Sequence, residues 1–220
     1  MFITYDAVRQ SEEIRTYITQ ADQSLSALGF TEHSFPHVTR CAQYAAHILE
    51  QLGYPERDRE LARIAGYMHD IGNVVNRHDH AQTGAVMAFR ILDNMGMEPA
   101  DVAAVITAIG HHDDPTAFPV NPVAAALILA DKTDVRRSRV RSKDPHSFDI
   151  HDRVNYAAEQ SQLSLDPEGR TITLALSINT EFCAVMDYFE IFLERMLLCR
   201  RAAEKLGLTF KLDINGLALL

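Results

Sequence analysis

The stretch GYMHDIGN, residues 66–73, sets an imidazole beside a carboxylate, His69-Asp70, at the end of a mostly apolar segment. Upstream, from a start near Pro55, Leu61, Ile64, Ala65 and Met68 recur at helical spacing, so the pair ends a helix whose apolar stripe faces a core. An acid buried there without a partner is costly to desolvate, and a bound cation relieves that cost.

Helical periodicity continues on both sides. Ile14, Ile18, Ala21, Leu25 and Leu28 form one stripe closed by Gly29; after Pro36, Val38, Cys41, Ala45, Ile48 and Leu52 form a second, closed by Gly53. Further helices are predicted over about 79–94 and 99–112. Between them and the next helix, HHDDPTAFPVNP is a loop, its three prolines unable to continue a helix. That next helix begins after Pro122 and runs through AAALILA to Asp131. Past residue 152 the period changes. SQLSLDPEGRTITLALSI alternates polar and apolar residues about the turn DPEG and reads as a β-hairpin. Residues 181–206 return to helical spacing, and LTFKLDI reads as a third strand. The expected fold is mainly α: a helical body over residues 1–150, with a β-β-α-β appendage over 151–220 carrying an antiparallel sheet and a long helix packed on the first domain. Val185, Phe189, Phe192, Met196 and Leu197 give that helix more apolar surface than three strands cover. The appendage is therefore expected to pack on the body and on a second copy, as a structural element in a homodimer.

Composition narrows the function. With 30 acidic and 21 basic residues, a net charge of −9 argues against general nucleic-acid binding. The three cysteines form no CxxC pair and suit a reducing compartment, so a cytoplasmic location is expected. No 18-residue apolar run predicts a membrane span. The ten histidines stand out. His37, His69-Asp70, His80, His111-His112 and Asp131 fall on or at the ends of five predicted helices. Imidazole with carboxylate suits iron, manganese, nickel or zinc, and a set without cysteine is unlike a structural zinc knot. Seven candidates exceed the needs of one ion, and a carboxylate such as Asp70 can bridge two.

The ordered set His37, GYMHDIGN, HAQTGA at 80–85, IGHHDDP and LADKTD at 129–134 resembles the HD-domain metal-dependent phosphohydrolase superfamily, over roughly residues 30–140. The resemblance implies two divalent transition metals, the first held by His37, His69, Asp70 and Asp131, the second by Asp70, His80, His111 and His112. His33 could compete with His37, and His78 could replace His80. Of the tandem pair His112 is favoured, because adjacent helical side chains diverge by about 100°. Asn73 stands where the cyclic-di-GMP enzymes commonly have Lys, and their GYP signature is missing after HHDDP, so that substrate is not supported.

Between 132 and 143 the chain turns basic, with Lys132, Arg136, Arg137, Arg139, Arg141 and Lys143. If the helix continues, Lys132, Arg136 and Arg139 share a face and can bind phosphate. The expectation is hydrolysis of a phosphate ester, a nucleotide or other small phosphorylated metabolite, by a metal-bridging hydroxide. Asp70 and Lys132 are the catalytic candidates, and Lys132, Arg136 and Arg139 the substrate-binding ones. A di-iron oxygenase and a non-catalytic regulatory module are the alternatives.

Overall fold

A computed structural model of the chain describes residues 2–113, 117–142, 144 and 148–219. Lys143 of the basic run, His146 and residues 114–116 of the proline-rich loop lie outside them.

The body is built from α1 (Tyr5–Gln10), α2 (Glu12–Ala27), α3 (Phe35–Gln51), α4 (Glu56–Met68), α5 (His80–Asn94), α6 (Pro99–Gly110) and α7 (Pro122–Lys132), with a 3₁₀ turn at Ile71–Val74. Local chemistry sets the boundaries. Ser11 caps α2 by accepting from the Ile14 N–H, and Asn121 caps α7 by accepting from Ala124 N–H at 2.8 Å, with Pro122 in the first turn. Gly29 and Gly53, at φ +82° and +74°, turn the chain out of α2 and α3. Helix α7 is the centre of the body: Val123 through Ala130 are all buried. Helices α3, α4, α6 and α9 (Val185–Lys205) pack around it.

Two glycines permit close approaches that set the site. A Cβ on Gly66 would lie 2.7 Å from both Cα and N of Ala42, so α4 meets α3 backbone to backbone. A Cβ on Gly72 would lie 2.0 Å from the His80 carbonyl oxygen, so the turn after the His69-Asp70 pair rests directly on the start of α5.

Beyond the body come α8 (Ile150–Ala157), β1 (Ala158–Asp166), β2 (Thr171–Ile178), α9, β3 (Thr209–Ile214) and β4 (Leu217–Ala218). The order in the sheet is β1-β2-β3-β4. The expected antiparallel sheet is corrected here: β1 and β2 form an antiparallel hairpin, but β2 and β3 are parallel. The reason is α9, which carries the chain back to the starting end of β2 and so makes a β-α-β crossover. The chain is mainly α rather than all-α. One apolar cluster runs through both parts, joining Leu127 and Ile128 of α7 to Phe192 and Cys199 of α9 and to Leu174 and Leu212 of the sheet. The Ser161 hydroxyl donates to the Thr133 carbonyl at 3.1 Å and ties β1 to the end of α7. Among the described residues no helix is long and apolar enough to cross a membrane.

Candidate metal centre

Five helix ends and faces deliver six side chains to one point. His37 comes from the first turn of α3, His69 and Asp70 from the end of α4, and His80 from the first position of α5. His112 follows α6, and Asp131 lies in the last turn of α7. Asp79, just before α5, sits at φ 56°, a left-handed conformation that Asp tolerates.

The imidazoles are oriented alike. His69 Nδ1–H donates to the Gly66 carbonyl at 2.8 Å, His112 Nδ1–H to Ile109 at 2.6 Å and His80 Nδ1–H to Arg77 at 3.1 Å. His37 Nδ1–H donates to Asp134 Oδ2 at 2.8 Å. A carbonyl or carboxylate can only accept, so each ring spends Nδ1–H on that bond and presents Nε2 to the centre, and in His37, His69 and His80 Nε2 lies close to the central carboxylates. His37 Nε2 lies 3.3 Å from Asp131 Oδ1 and 3.5 Å from Asp70 Oδ2. His69 Nε2 lies 3.2 Å from Asp70 Oδ2 and 3.7 Å from Asp131 Oδ1. Ligands roughly 2.1 Å from a shared ion stand about 3.0–3.4 Å apart in octahedral or tetrahedral arrangement; the 3.2 and 3.3 Å spacings fall in that range, and the 3.5 and 3.7 Å ones lie just beyond it. His69 Nε2 and Asp70 Oδ2 are buried, and neither has a hydrogen-bond partner among the described residues. Native interiors rarely leave such atoms unsatisfied, so this donor set fits a divalent cation.

The other oxygen of Asp70 turns away. Oδ1 accepts from Asn73 Nδ2 at 3.0 Å and stands 3.5 Å from His80 Nε2. Asp113 Oδ2 lies 3.4 Å from the same His80 nitrogen, and the His112 ring is 5.1 Å from that of His80. Asp70, His80 and Asp113 thus meet on the far side of Asp70, while His112 groups with His69 and Asp70, and Cys41 with His37, His69 and Asp131, each group offering ligand atoms within 4.8 Å of one another. Cys41 corrects the expected cysteine-free set.

Electrostatics separate the two halves. Burial alone lowers the pKa of His69, but Asp70 and Asp131 overcome it and raise the imidazole to about 10. Burial pushes His112 down to about 3, helped by the positive charge of His69, His80 and Lys132. Burial works against the Asp70, Asp113 and Asp131 carboxylates, yet each is held well below the usual range. His69 is the main cause for Asp70, and Lys132 for the other two.

Several placements differ from expectation. His111 does not line the cavity that His112 enters; it is the residue at which α6 stops, and its Nδ1 is buried elsewhere. His78 is exposed and pairs with Asp79. His33 lines the cavity mouth and donates from Nδ1 to the Thr31 carbonyl. The continued helix beyond Asp131 is corrected: α7 ends at Lys132 and Arg136 is extended. A chain turning there cannot keep Lys132, Arg136 and Arg139 on one face. Arg136 lies outside the cavity, its guanidinium forked onto Asp134 at 2.5 and 2.9 Å. Arg139 lines the cavity, but it donates to the Glu32 and Asp134 carbonyls, each at 2.9 Å. Arg141 is bound to Asp22. Lys132 does reach the site, donating to Asp113 and, at 2.9 Å, to Asp131 Oδ2. Asp113, Asp134 and Arg77 belong to the site and were not expected there. The first Asp of HHDD and the final Asp of LADKTD were the available signals, standing close to predicted ligands.

A helical bundle closing on a buried His/Asp centre in this order defines an HD domain, and residues 35–136 match that family, described as "HD domain". The match covers just under half of the chain, and the family is generally one of metal-dependent phosphohydrolases. It is 32% identical over 120 residues to "Ribonuclease Y" of Deinococcus radiodurans, covering 51% of this chain and 19% of that protein. It is 31% identical over 115 residues to "Ribonuclease Y" of Thermus thermophilus, covering 49% and 18%. The chain thus spans less than a fifth of the length of the curated relatives it matches.

Proposed function

We propose that the chain is a metal-dependent phosphohydrolase that binds two divalent transition metals and cleaves a phosphate ester of a nucleotide or similar small metabolite. The observation that carries this reading is the buried cluster in which His69 Nε2 and Asp70 Oδ2, 3.2 Å apart and neither in a regular hydrogen bond, face the donors of His37 and Asp131. His37, His69, Asp70 and Asp131 would hold the first metal; Asp70, His80, His112 and Asp113 the second. When bound, such metals polarise a phosphoryl oxygen and make water acidic enough to attack at neutral pH.

The chain's own residues prepare the site. Asp134, fixed by Arg136 and by Arg40 at 3.1 Å, orients His37 through Nδ1. Gly66, Ile109 and Arg77 carbonyls do the same for His69, His112 and His80. Lys132 and Arg77 balance Asp113, so the carboxylates stay ionised for ligation. The cavity over these groups has a volume of about 320 Å³, suited to a small ligand, and it is lined on the opposite wall by α8 and α9. The likeness to proteins named as ribonucleases agrees with phosphate-ester chemistry.

The test begins with protein purified without added metal. Metal analysis should find close to two ions per chain after reconstitution with manganese, iron, nickel or zinc. A panel of nucleotides and sugar phosphates should then show phosphate release that chelation abolishes. A chain that binds no metal would end this reading. Activity only with dioxygen and mixed-valence iron would replace it with the di-iron oxygenase.

A further inference from the structure

The cavity over the centre has four cationic side chains on its wall: Arg77, Lys132, Arg139 and Arg195. Three are committed. Arg77 lies 3.3 Å from Asp113, Lys132 is shared by Asp113 and Asp131, and Arg139 serves two backbone carbonyls. Arg195 differs. It comes from α9, in the appendage, and among the described residues its guanidinium makes no hydrogen bond and no ion pair. It is held instead by stacking, its Cζ 4.8 Å from the centroid of Phe192, a ring that is 1% exposed and fixed in the core. Both residues line the cavity that Asp70, His80, His112 and Asp131 also line. The fork is half-buried on the cavity wall and pre-oriented, with all five donors available to a ligand in the cavity. The α7–α9 packing ties its position to the helix that carries Asp131.

We infer that Arg195 is a substrate-binding residue, a planar fork that takes a phosphate group of the substrate beside the metal centre, and that the appendage thereby completes the substrate pocket. This rests on the phosphohydrolase reading of the same centre. A guanidinium matches two oxygens of a phosphate, which an ammonium cannot do. The role expected for Arg136 and Arg139 from the sequence thus falls to a residue much further along the chain, brought in by packing rather than by helix periodicity.

The experiment uses the full chain loaded with manganese and inorganic phosphate as the probe, followed by calorimetry. The parent should bind phosphate; Arg195→Gln should bind it about tenfold or more weakly, and Arg195→Lys should fall between. Arg200→Gln, on the exposed side of α9, is the control and should match the parent. Metal content and melting temperature should be unchanged in all three. With a substrate from the phosphate-release panel, Arg195→Gln should raise KM more than it lowers kcat. If the parent binds phosphate and Arg195→Gln binds it equally, the Arg195 assignment is overturned and the phosphohydrolase reading stands. If the metal-loaded parent binds no phosphate, both fall together. Loss of metal from Arg195→Gln would overturn the assignment by showing a structural role.

Discussion

Asp134 accepts from His37 at Oδ2 and from Arg136 at both oxygens, and it is ion-paired with Arg40, which makes it the support on which His37 stands. Burial works against its carboxylate, yet the His37 and Arg136 hydrogen bonds hold it far below the usual range. Asp134→Asn keeps the shape and loses the charge, so metal affinity should fall about 10–100-fold, as measured by competition with a chelator of known strength. Arg136→Ala should act in the same direction and more weakly, without a specific rise in KM; a change in KM alone would return Arg136 to the substrate. Asp70→Asn should do more, emptying both clusters, because each uses one of its oxygens. The tandem histidines make the sharpest residue-scale contrast. His112→Ala should lose one metal and His111→Ala should lose none; equal losses would show that the chain can shift register there. Most of the side chains that converge on the centre were legible from the ordered His and Asp residues, since helix ends are where such side chains meet. Asp113 was not, because a carboxylate in a polar loop has no periodic neighbour to mark which way it faces.

At the scale of elements, the site depends on close approaches that only glycine allows. Gly72→Ala would drive a methyl group into the His80 carbonyl and, at 2.5 Å, the Gly84 amide, both backbone atoms that cannot swing aside. The cost should be about 3 kcal/mol or more, at the upper end for overpacking, read as a lowered urea midpoint. Gly96→Ala offers the comparison: it has φ +78° and open space, so it should lose only about 1–2 kcal/mol from left-handed strain. Equal destabilisation by the two would mean that the α5 contact is looser than described. Helices α2 to α7 could be read from their stripes and capping residues because each buries one face. The end of α7 could not. Lys132 to Arg139 carries no proline or glycine to announce a stop; the contacts of Asp134 with His37 and of Arg139 with Glu32 hold the chain out of the helix there. Residues 150–157 were likewise silent, since α8 is short and its burial comes from neighbours rather than from a long stripe. The parallel pairing of β2 with β3 is a property of the crossover, not of either strand's own alternation.

Across the whole molecule, the appendage and the body share one apolar cluster, and α9 covers α7, the most buried helix. A chain ending at residue 157 should therefore be insoluble or strongly destabilised although every proposed ligand lies before that point. A soluble, metal-loaded truncation that has lost only phosphate binding would instead show that the body folds alone and that α9 acts through the pocket. In either case phosphate-ester hydrolysis should track the metal held by the His and Asp side chains of the centre. The direct measurement is titration of manganese into chelator-stripped protein, with bound metal and phosphate release followed in the same samples, for the parent and for Asp70→Asn. Release that rises with occupancy toward two ions per parent chain, and stays at background in Asp70→Asn, is the predicted result. Phosphate release that is independent of bound manganese, or that survives in Asp70→Asn, would contradict it.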